Sequence, residues 1–330
     1  MSFSSKTKNM LSRLDIENTC CARAELAALI RMSGTIQLTG RGNINIKFST
    51  ENAAIARRIF SLIKKLYNSQ IEVMVRKNKQ LKKNNNYLMI IHDSKSVNDI
   101  LKDTGLFDKD KNKLLDISYK APKDIIRKKC CKRSYIRGAF LGGGSLSDPE
   151  KTYHLEFVTH DKEFAEDLSS IINSFDLNSK IVVRKDYYVV YIKEGEQIVD
   201  LLNIIEAHNS LLELENIRVV KGIRNDINRL VNCETANLSK TINAAIRQVE
   251  NIKYIENTIG IEKLPINLQE LANLRLYYKE SSLKELGNML STPLGKSGVN
   301  HRLRKIEKIA QNLKQKERNG NGSKSSRGKE

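Results

Sequence analysis

The apolar positions in the first two thirds of the chain follow two patterns. Short runs such as "NINIKFST" and "TYHLEFVTH" alternate apolar and polar residues, and a period of two is typical of half-buried strands. Longer segments such as "NAAIARRIFSLIKKLY" and "KEFAEDLSSIINSF" place apolar residues three or four positions apart, which predicts helices. In chain order these segments predict α-β-β-α-β-β-α, and the order occurs twice. The polar run "KNKQLKKNNN" between Val75 and Tyr87 predicts an exposed hairpin loop.

The duplication is visible in the residues themselves. The segment "CCARAELAALIRMSGTI" at 20–36 superimposes without a gap on "CCKRSYIRGAFLGGGSL", which begins at residue 130. So many coincidences in a short window indicate an internal repeat. The matching pairs are Cys20 with Cys130, Cys21 with Cys131, Arg23 with Arg133, Leu26 with Ile136, Ala28 with Gly138, Ile30 with Phe140 and Gly34 with Gly144.

Small residues in the two opening helices predict how the repeats meet. Helices with little side chain on one face can approach each other backbone to backbone. Glycine inside a helix costs roughly 1 kcal/mol relative to alanine, so Gly138 and Gly142 indicate a compensating close contact. A frayed helix end at a flexible loop is the alternative interpretation. The predicted repeat-interface residues are Ala28, Gly34, Gly138, Gly142 and Gly144.

Two such halves joined through small-residue helices resemble the LAGLIDADG homing endonuclease fold. The stretches "LAALIRMSG" at 26–34 and "IRGAFLGGG" at 136–144 are similar to its two signature helices. The resemblance implies an α+β fold in which two α-β-β-α-β-β-α repeats form a pseudo-symmetric saddle. In active members of that family an acidic residue precedes the last glycine of each signature helix. The two carboxylates hold the divalent metal ions of the cleavage reaction.

This chain lacks those two carboxylates. The matching positions are Ser33 and Gly143, and neither supplies the charged oxygen ligand that magnesium requires. The nearby acids Asp148, Glu150 and Glu25 have no counterparts in the other repeat, so they do not predict a symmetric two-metal site. We therefore expect no nuclease activity, no catalytic residues, no bound metal and no cofactor.

The five cysteines do not follow a metal-binding spacing. Cys20–Cys21 and Cys130–Cys131 are vicinal pairs, Cys233 is alone, and the chain contains no CxxC motif. Vicinal thiols are poorly placed to chelate one tetrahedral metal ion, and no histidine cluster lies nearby in the sequence. The sequence therefore predicts reduced, mostly buried thiols.

After the second repeat the pattern is helical. Residues 204–251 predict a helical connection with a break near Asn232–Leu238, where Asn237 or Ser239 would cap the second part.

Two further helices are predicted near the carboxyl terminus. Ser282 and Glu285 have capping-box spacing and predict a short helix with Leu283, Leu286 and Leu290 on one face. The stretch "STPLG" ends this helix, and Ser297 is the predicted cap of the next one. In that last helix an apolar stripe is formed by Val299, Leu303, Ile306, Ala310 and Leu313.

A short helix, a turn and a basic helix resemble a helix-turn-helix, whose second helix lies in the major groove of DNA. At about 100° per residue, polar side chains of the last helix lie opposite its apolar stripe or flank it. Arginine and asparagine can contact base edges with two hydrogen bonds, whereas lysines more often contact phosphates. A three-helix bundle with a solvated basic face is the alternative. The predicted DNA-binding residues are Lys296, Ser297, Asn300, His301, Arg302, Arg304, Lys305 and Lys308.

The charge of the chain supports a polyanionic partner. The 330 residues include 57 Lys and Arg against 38 Asp and Glu, a net charge of +19 with neutral histidines. This excess favours nucleic acid or an anionic membrane face. Residues 1–120 carry +11, residues 121–222 carry −1 and residues 223–330 carry +9. A saddle that grips DNA symmetrically would be basic in both halves, so the helix-turn-helix is the predicted primary DNA-binding element.

A LAGLIDADG-like pair followed by a helix-turn-helix is similar to the WhiA family of bacterial regulators over nearly the whole chain. The most specific stretches are "VNCETANLSKTINAAIRQVENI" at 231–252 and "LGKSGVNHRLRKIEKIA" at 294–310. The resemblance implies transcriptional control of sporulation genes in some bacteria, and a role in cell division and chromosome segregation in others.

These patterns together predict the organisation of the chain. The helix-turn-helix occupies about 281–314. The lack of a signal-peptide core and of any apolar run of 18 residues predicts a soluble, cytoplasmic protein without a membrane partner. The predicted DNA binding would associate it with the nucleoid, and no small-molecule substrate is evident from the sequence. The predicted parts are a first repeat at 1–120, a second repeat at 121–210, a helical linker at 211–262, a DNA-binding domain at 263–315 and a disordered basic tail at 316–330.

Three functions are compatible with this organisation. The leading hypothesis is a non-enzymatic, sequence-specific regulator that binds double-stranded DNA. The second is an enzyme, either a LAGLIDADG nuclease or an RNA splicing maturase. Missing carboxylates argue against the nuclease, and the appended helix-turn-helix argues against the maturase. The third makes the saddle a platform for protein partners that the helix-turn-helix delivers to DNA, and the near-neutral second repeat favours it.

Overall fold

The structure, a computed structural model, describes residues 1–15, 18–39, 44–77, 85–107 and 117–322. They belong to two compact units, Met1–Gly222 and Ile223–Glu330. In chain order the helices and strands are α1 (Phe3–Leu11), α2 (Thr19–Ser33), β1 (Gly34–Leu38), β2 (Ile44–Thr50), α3 (Ala53–Tyr67), β3 (Glu72–Lys77), β4 (Asn85–Ile91), α4 (Ser94–Asp103), α5 (Lys129–Gly143), β5 (Gly144–Leu146), β6 (Leu155–Thr159), α6 (Lys162–Asn173), β7 (Lys180–Arg184), β8 (Tyr187–Ile192), α7 (Gly195–Ile204), α8 (His208–Thr258), α9 (Ile266–Tyr277), α10 (Leu283–Met289) and α11 (Lys296–Gly322).

The first unit contains the predicted duplication. Helices α2 to α4 with strands β1 to β4 form one repeat, and α5 to α7 with β5 to β8 form the other. Each repeat has one antiparallel four-stranded sheet, in the orders β1-β2-β4-β3 and β5-β6-β8-β7. The predicted α-β-β-α-β-β-α order is thus confirmed in both halves. Most of the predicted hairpin loop falls on residues 78–84, which lie outside the described residues.

Alternating side chains attach each sheet to its helices. In β6, Leu155 and Phe157 are buried, whereas the intervening Glu156 is half-buried. The Phe157 ring packs edge-to-face with the Phe140 ring of α5, with 6.2 Å between ring centroids. Burying an aliphatic or aromatic side chain contributes about 1.5–3 kcal/mol, so these inward-facing positions hold helix and sheet together.

Side-chain caps begin several helices of the first unit, but not α2, α5 or α7. The carboxylate of Asp161 accepts the backbone N–H of Phe164 at the start of α6, and Asp93 and Asn52 cap α4 and α3 in the same way. The residues before α2 and α5 are Asn18 and Lys128, and neither makes a side-chain capping bond. The first turns of these two helices therefore keep backbone N–H groups that no N-cap side chain satisfies.

Helix α8 is continuous for 51 residues, so the predicted break near Asn232–Leu238 is wrong. Asn237 is an interior residue whose carbonyl accepts the Thr241 hydroxyl at 2.9 Å. Both it and Ser239 lie within the helix and cap nothing. The polar residues that indicated a break are exposed to solvent along one uninterrupted helix, and no proline interrupts the hydrogen bonds of α8.

The second unit packs the end of α8 with α9, α10 and α11 around one apolar core. The predicted stripe of α11 is confirmed, because Val299, Leu303, Ile306 and Ala310 are buried and Leu313 is partly buried against the same core. The capping box at the start of α10 is also confirmed, with Ser282 and Glu285 bonded reciprocally.

The ends of α11 differ from the sequence-based expectation. The helix begins at Lys296, and the carbonyl of Gly295 accepts the N–H of Val299 at 3.1 Å. Ser297 therefore lies inside the first turn, and its predicted role as a cap is wrong. At the other end α11 reaches Gly322, within the segment at 316–330 that was predicted to be disordered. The remainder of that tail, 323–330, lies outside the described residues. Within the described ranges, no helix combines the length and apolar character needed to cross a membrane.

Candidate nucleic-acid interface and repeat junction

A glycine closes the turn between α10 and α11. The carbonyl of Gly287 accepts the N–H of Leu294 at 3.0 Å, which folds the connection back onto α10. A Cβ atom at residue 287 would overlap the carbonyl oxygen of Leu294, so only glycine fits this approach. Val299 of α11 also lies against this position, and the glycine thus sets how closely the two helices meet.

Helix α9 braces both connections of the three-helix arrangement. The buried Arg275 guanidinium donates to the carbonyls of Ser281, at 2.7 Å, and Lys279, at 3.3 Å, in the α9–α10 connection. Burial lowers the pKa of Arg275. The Glu270 carboxylate accepts the backbone N–H and the hydroxyl of Ser291 in the α10–α11 connection, at 2.6 and 2.9 Å. These bonds hold α11 in a fixed position on its unit.

The predicted DNA-binding residues share one side of α11. Opposite the buried stripe, six of them are exposed, and Asn300 and Arg302 are half-buried at its margins. The cationic members form no ion pair with any other described residue, so their charges are free to meet phosphates. The exposed residues are Lys296, Ser297, His301, Arg304, Lys305 and Lys308.

The two repeats meet where α2 packs against α5. A Cβ atom at Gly138 would overlap the main-chain carbonyl of Glu25 and lie 3.1 Å from the Cβ of Ala28. One at Gly142 would lie 2.7 Å from the Cβ of Met32. The helices therefore approach each other as closely as the small residues predicted, with Ala28 fully buried between them.

The remaining two predicted interface glycines have a different role. At Gly34 the nearest atoms to an added Cβ belong to Ile30, and at Gly144 they belong to Phe140. Each glycine is thus confined by the helix of its own repeat, at the point where that helix passes directly into a strand. The nearest steric constraint at these positions comes from the helix-to-strand turn of the same repeat.

Ser33 and Gly143 are the last residues of α2 and α5, the positions at which a nuclease of this fold would hold metal. The Ser33 hydroxyl donates to the carbonyl of Leu29 at 2.9 Å, and its Oγ lies 3.5 Å from a Cβ placed on Gly142. The two helix ends are therefore adjacent, but they present one hydroxyl and no carboxylate. These donors do not fit a hard divalent cation. Asp148 is exposed in a turn, where it accepts the Glu150 N–H at 3.0 Å.

Glu25 is a structural acid at the repeat junction. Its carboxylate is fully buried and accepts two bonds from Arg58, at 2.6 and 2.9 Å, and one from Arg137 at 2.9 Å. Arg137 also reaches Glu206 at 2.6 Å, and Arg58 also donates to the carbonyl of Leu14. The ion pairs link the two repeats and the residue Glu206, just after α7, and no spacing pattern in the sequence indicates them.

Arg31 organises the segment between the repeats. Its buried guanidinium donates to one carbonyl of its own helix and to five beyond α4, at distances of 2.9 to 3.4 Å. Burial lowers the pKa of Arg31. Sequence reasoning did not single out this residue. The accepting residues are Ala27, Thr104, Gly105, Ser118, Tyr119 and Lys120.

The two vicinal cysteine pairs come together at the first turns of α2 and α5. The four Sγ atoms of Cys20, Cys21, Cys130 and Cys131 all lie within 4.8 Å of one another. Only Cys131 is buried, Cys20 and Cys21 are half-buried, and Cys130 is exposed, as is Cys233 in α8. The prediction of mostly buried thiols is therefore wrong. Because the pairs are equivalent in the repeat and the opening helices were predicted to pack together, the sequence did carry a signal for this cluster.

Burial raises the pKa of Cys21 to about 11, and burial raises the pKa of Cys131 further. Burial also acts on Cys20, but hydrogen bonds from the thiols of Cys131 and Cys21 and the charge of Lys128 outweigh it and lower its pKa. The four thiols thus interact with one another across the repeat junction.

Comparison with known proteins agrees with this architecture. The model of the WhiA N-terminal LAGLIDADG-like domain matches residues 19–107, that of the WhiA LAGLIDADG-like domain matches 132–224, and that of the WhiA C-terminal HTH domain matches 227–310.

Relatives cover nearly the whole chain. The "Probable cell division protein WhiA" of Alkaliphilus metalliredigens (strain QYMF) is 62% identical over 310 residues, 94% of this chain and 98% of the relative. The protein of the same name from Clostridium botulinum (strain Hall / ATCC 3502 / NCTC 13319 / Type A) is 57% identical over 315 residues, 96% of this chain and 99% of the relative. The crystal structure of full-length DUF199/WhiA from Thermatoga maritima is 27% identical, with a TM-score of 0.58 over 94% of this chain and 99% of that one. With its two LAGLIDADG-like repeats and its helix-turn-helix, this chain belongs to the WhiA family.

Proposed function

We propose that this chain is a non-enzymatic, sequence-specific DNA-binding protein that regulates transcription. The observation that carries the proposal is the exposed basic side of α11, whose opposite side is buried in the core of the second unit. A helix held by its apolar side, with unpaired cations and hydrogen-bonding side chains outward, has the form of a recognition helix. The matched HTH domain covers this helix as far as residue 310.

In this proposal α11 lies in the major groove of double-stranded DNA. The guanidinium of Arg304 and the amide of Asn300 reach base edges, because both side chains can make paired hydrogen bonds that distinguish bases. The ammonium groups of Lys305 and Lys308 contact phosphates, which position the helix without reading sequence. The braced α9–α10–α11 arrangement fixes the helix before DNA binds, so little ordering has to accompany binding.

The absence of nuclease activity is part of the proposal. Ser33 and Gly143 supply no charged ligand at the adjacent helix ends, and Glu25 is engaged by two arginines. The test is incubation of the purified protein with duplex DNA and magnesium or manganese. Metal-dependent cleavage that is lost in the Asp148→Ala variant would overturn this part of the proposal.

The proposed cellular role is supported by the names of the relatives. Proteins at 57–62% identity are named for cell division, and the same role is proposed for this chain, together with chromosome segregation and, in spore-forming bacteria, sporulation. The protein would then act in the cytoplasm on the nucleoid.

A second candidate function, a platform for protein partners in the repeat pair, has its own support. Val73 and Val75 on edge strand β3 are exposed, and so are Ile181 and Val183 on the equivalent edge strand β7. Apolar side chains at matching edge positions of both sheets are features of surfaces that bind other proteins. This function is compatible with DNA binding by α11.

The decisive experiment is a genome-wide map of bound DNA for the full chain and for Arg304→Ala, with Lys162→Ala on α6 as the matched surface control. We expect the full chain to bind at defined promoters. Arg304→Ala should weaken the affinity for these sites by about 1–3 kcal/mol, and Lys162→Ala should retain it. Affinity for the mapped sites that survives removal of residues 263–330 would refute the assignment to α11. Binding spread evenly along the chromosome would refute sequence specificity.

A further inference from the structure

The cysteine cluster is a second site, separate from α11 and from the helix ends at Ser33 and Gly143. Cys20 and Cys21 are the second and third residues of α2, and Cys130 and Cys131 are the second and third residues of α5. Because the two helices run side by side through the repeat junction, their first turns place four thiols together. Two of these come from each repeat.

The distances suit a tetrahedral metal ion. Zinc–sulfur bonds of about 2.3 Å in a tetrahedron separate the sulfur atoms by about 3.8 Å. The Sγ atoms of Cys130 and Cys131 are 4.0 Å apart, and all four Sγ atoms lie within 4.8 Å of one another. Shifts of less than about 1 Å, within the reach of side-chain rotation, convert this cluster into a tetrahedral set. Among the described residues it is the only group of three or more His, Cys, Asp or Glu side chains in such a position.

The surroundings favour negative charge on the sulfur atoms. Four thiolates around a divalent cation leave two negative charges. Both helices point their amino-terminal ends at the cluster, and each end is equivalent to about half a positive charge. Neither end is occupied by a capping side chain, since Asn18 and Lys128 make no such bond. The Lys128 ammonium adds a full charge beside Cys20.

The cluster is also accessible. Cys130 is exposed and Cys20 and Cys21 are half-buried, so a metal ion can reach the sulfur atoms from solvent without opening the core. A site needs such an entry path as well as a ligand set.

We propose that these four cysteines bind one thiophilic divalent cation of tetrahedral preference, with zinc as the biological ion. Soft thiolate ligands in a tetrahedral set select zinc over magnesium or calcium. The bound ion ties the first turn of α2 to the first turn of α5 and so clips the two repeats together. Closing the long chain segment between Cys21 and Cys130 makes the metal a stabilising cross-link for the first unit.

The site can be tested first in the unmodified protein. Reduced, metal-free full-length chain is titrated with cobalt(II), whose visible absorption reports tetrahedral thiolate coordination. The expected result is saturation at one cobalt per chain and its displacement by zinc. Zinc should also protect the four clustered thiols from alkylation, as read by mass spectrometry, while Cys233 on α8 continues to react and serves as the internal control.

Variants locate the ligands. Cys130→Ala, at the exposed position, and Cys20→Ser should each remove the tetrahedral cobalt signal, whereas Cys233→Ser should retain it. Zinc should raise the melting temperature of the unmodified chain and of Cys233→Ser, but not that of Cys130→Ala. A cobalt spectrum without thiolate features, or zinc that leaves all five thiols equally reactive, would overturn the proposal. The proposal would also be overturned if the reduced chain bound no zinc and its clustered thiols instead formed disulfides on exposure to air.

Discussion

Gly138 of α5 packs directly against the main-chain carbonyl of Glu25 in α2, with no room between them for even one methyl group. This contact lies at the centre of the repeat junction, where the two opening helices of the duplicated fold meet. At this point the two helices pack backbone against backbone, in addition to their side-chain contacts. The absence of a side chain at residue 138 is therefore a structural requirement.

Gly138→Ala should destabilise the first unit by about 1–3 kcal/mol, because the added methyl group forces the packed helices apart. The intrinsic preference of helices for alanine, up to about 1 kcal/mol, acts in the opposite direction and is outweighed by the clash. The measurement is urea-induced unfolding followed by circular dichroism.

The matched control is Gly222→Ala in α8. A Cβ atom at Gly222 meets nothing within 4 Å, so alanine there should leave stability unchanged or raise it by up to about 1 kcal/mol. Equal effects of the two substitutions would show that α2 and α5 do not meet at Gly138.

The buried Glu25 carboxylate compensates the charges of Arg58 and Arg137. Glu25→Gln keeps the shape of the side chain but leaves the buried guanidinium of Arg58 without a counter-charge, and leaves Arg137 paired only with the partly exposed Glu206. The expected loss of stability is about 3–5 kcal/mol. Thermal and urea unfolding at neutral pH would measure it.

Glu213→Gln provides the comparison for Glu25→Gln. Glu213 pairs with Lys6 at 3.3 Å, and both side chains are about half exposed, so its removal should cost less than about 1 kcal/mol. If the two glutamine variants unfolded at the same urea concentration, the buried network would not contribute to stability as argued.

Local periodicity accounts for the parts of the fold that the sequence predicted. The strand and helix order of both repeats and the stripe at Val299, Leu303 and Ile306 depend on which side of one element is buried. That information repeats every two or 3.6 residues. The same approach failed within α8, where polar residues such as Asn237 were interpreted as a break. Polar side chains are fully compatible with an exposed helix that contains no proline.

Periodicity does not predict interactions between segments that are far apart in the sequence. Arg137 and Glu25 are 112 residues apart in the sequence. Arg31 donates hydrogen bonds to carbonyls of residues more than 70 positions away. Neither pairing leaves a repeating trace in the sequence. The cysteine cluster is an intermediate case, because combining the repeat alignment with the predicted helix contact would have placed Cys20 near Cys130. Taken alone, the vicinal spacing within each pair argues against a metal site.

The turn between α10 and α11 requires glycine at residue 287, just as the contact between α2 and α5 requires glycine at residue 138. Gly287→Ala places a methyl group on the carbonyl of Leu294, so the connection between α10 and α11 has to open. We expect a loss of about 1–3 kcal/mol in the stability of the second unit and a parallel loss of DNA affinity. Circular dichroism and a DNA-binding titration on the same preparation would measure both.

Gly298→Ala is the control for the stability effect. The atoms nearest to an added Cβ at Gly298 are in the Leu294 side chain, at 3.6 Å, which is an ordinary contact. Alanine should therefore leave the unfolding of the second unit unchanged or strengthen it slightly through helix preference. A destabilisation as large as that of Gly287→Ala would contradict the close approach at the turn.

With α11 in the major groove as proposed, Lys308 and Arg304 should differ in what they contribute. A lysine that neutralises one phosphate releases about one counterion, so Lys308→Ala should reduce the slope of log affinity against log salt concentration by about 1. The same substitution should weaken binding almost equally on all sequences, because phosphates are common to all of them.

Arg304→Ala should instead reduce the preference for the specific site over unrelated DNA by about 1–3 kcal/mol. Salt titrations with both kinds of DNA separate the two effects, and Lys162→Ala should change neither. A slope for Lys308→Ala that equals the slope for Lys162→Ala would show that Lys308 contacts no phosphate.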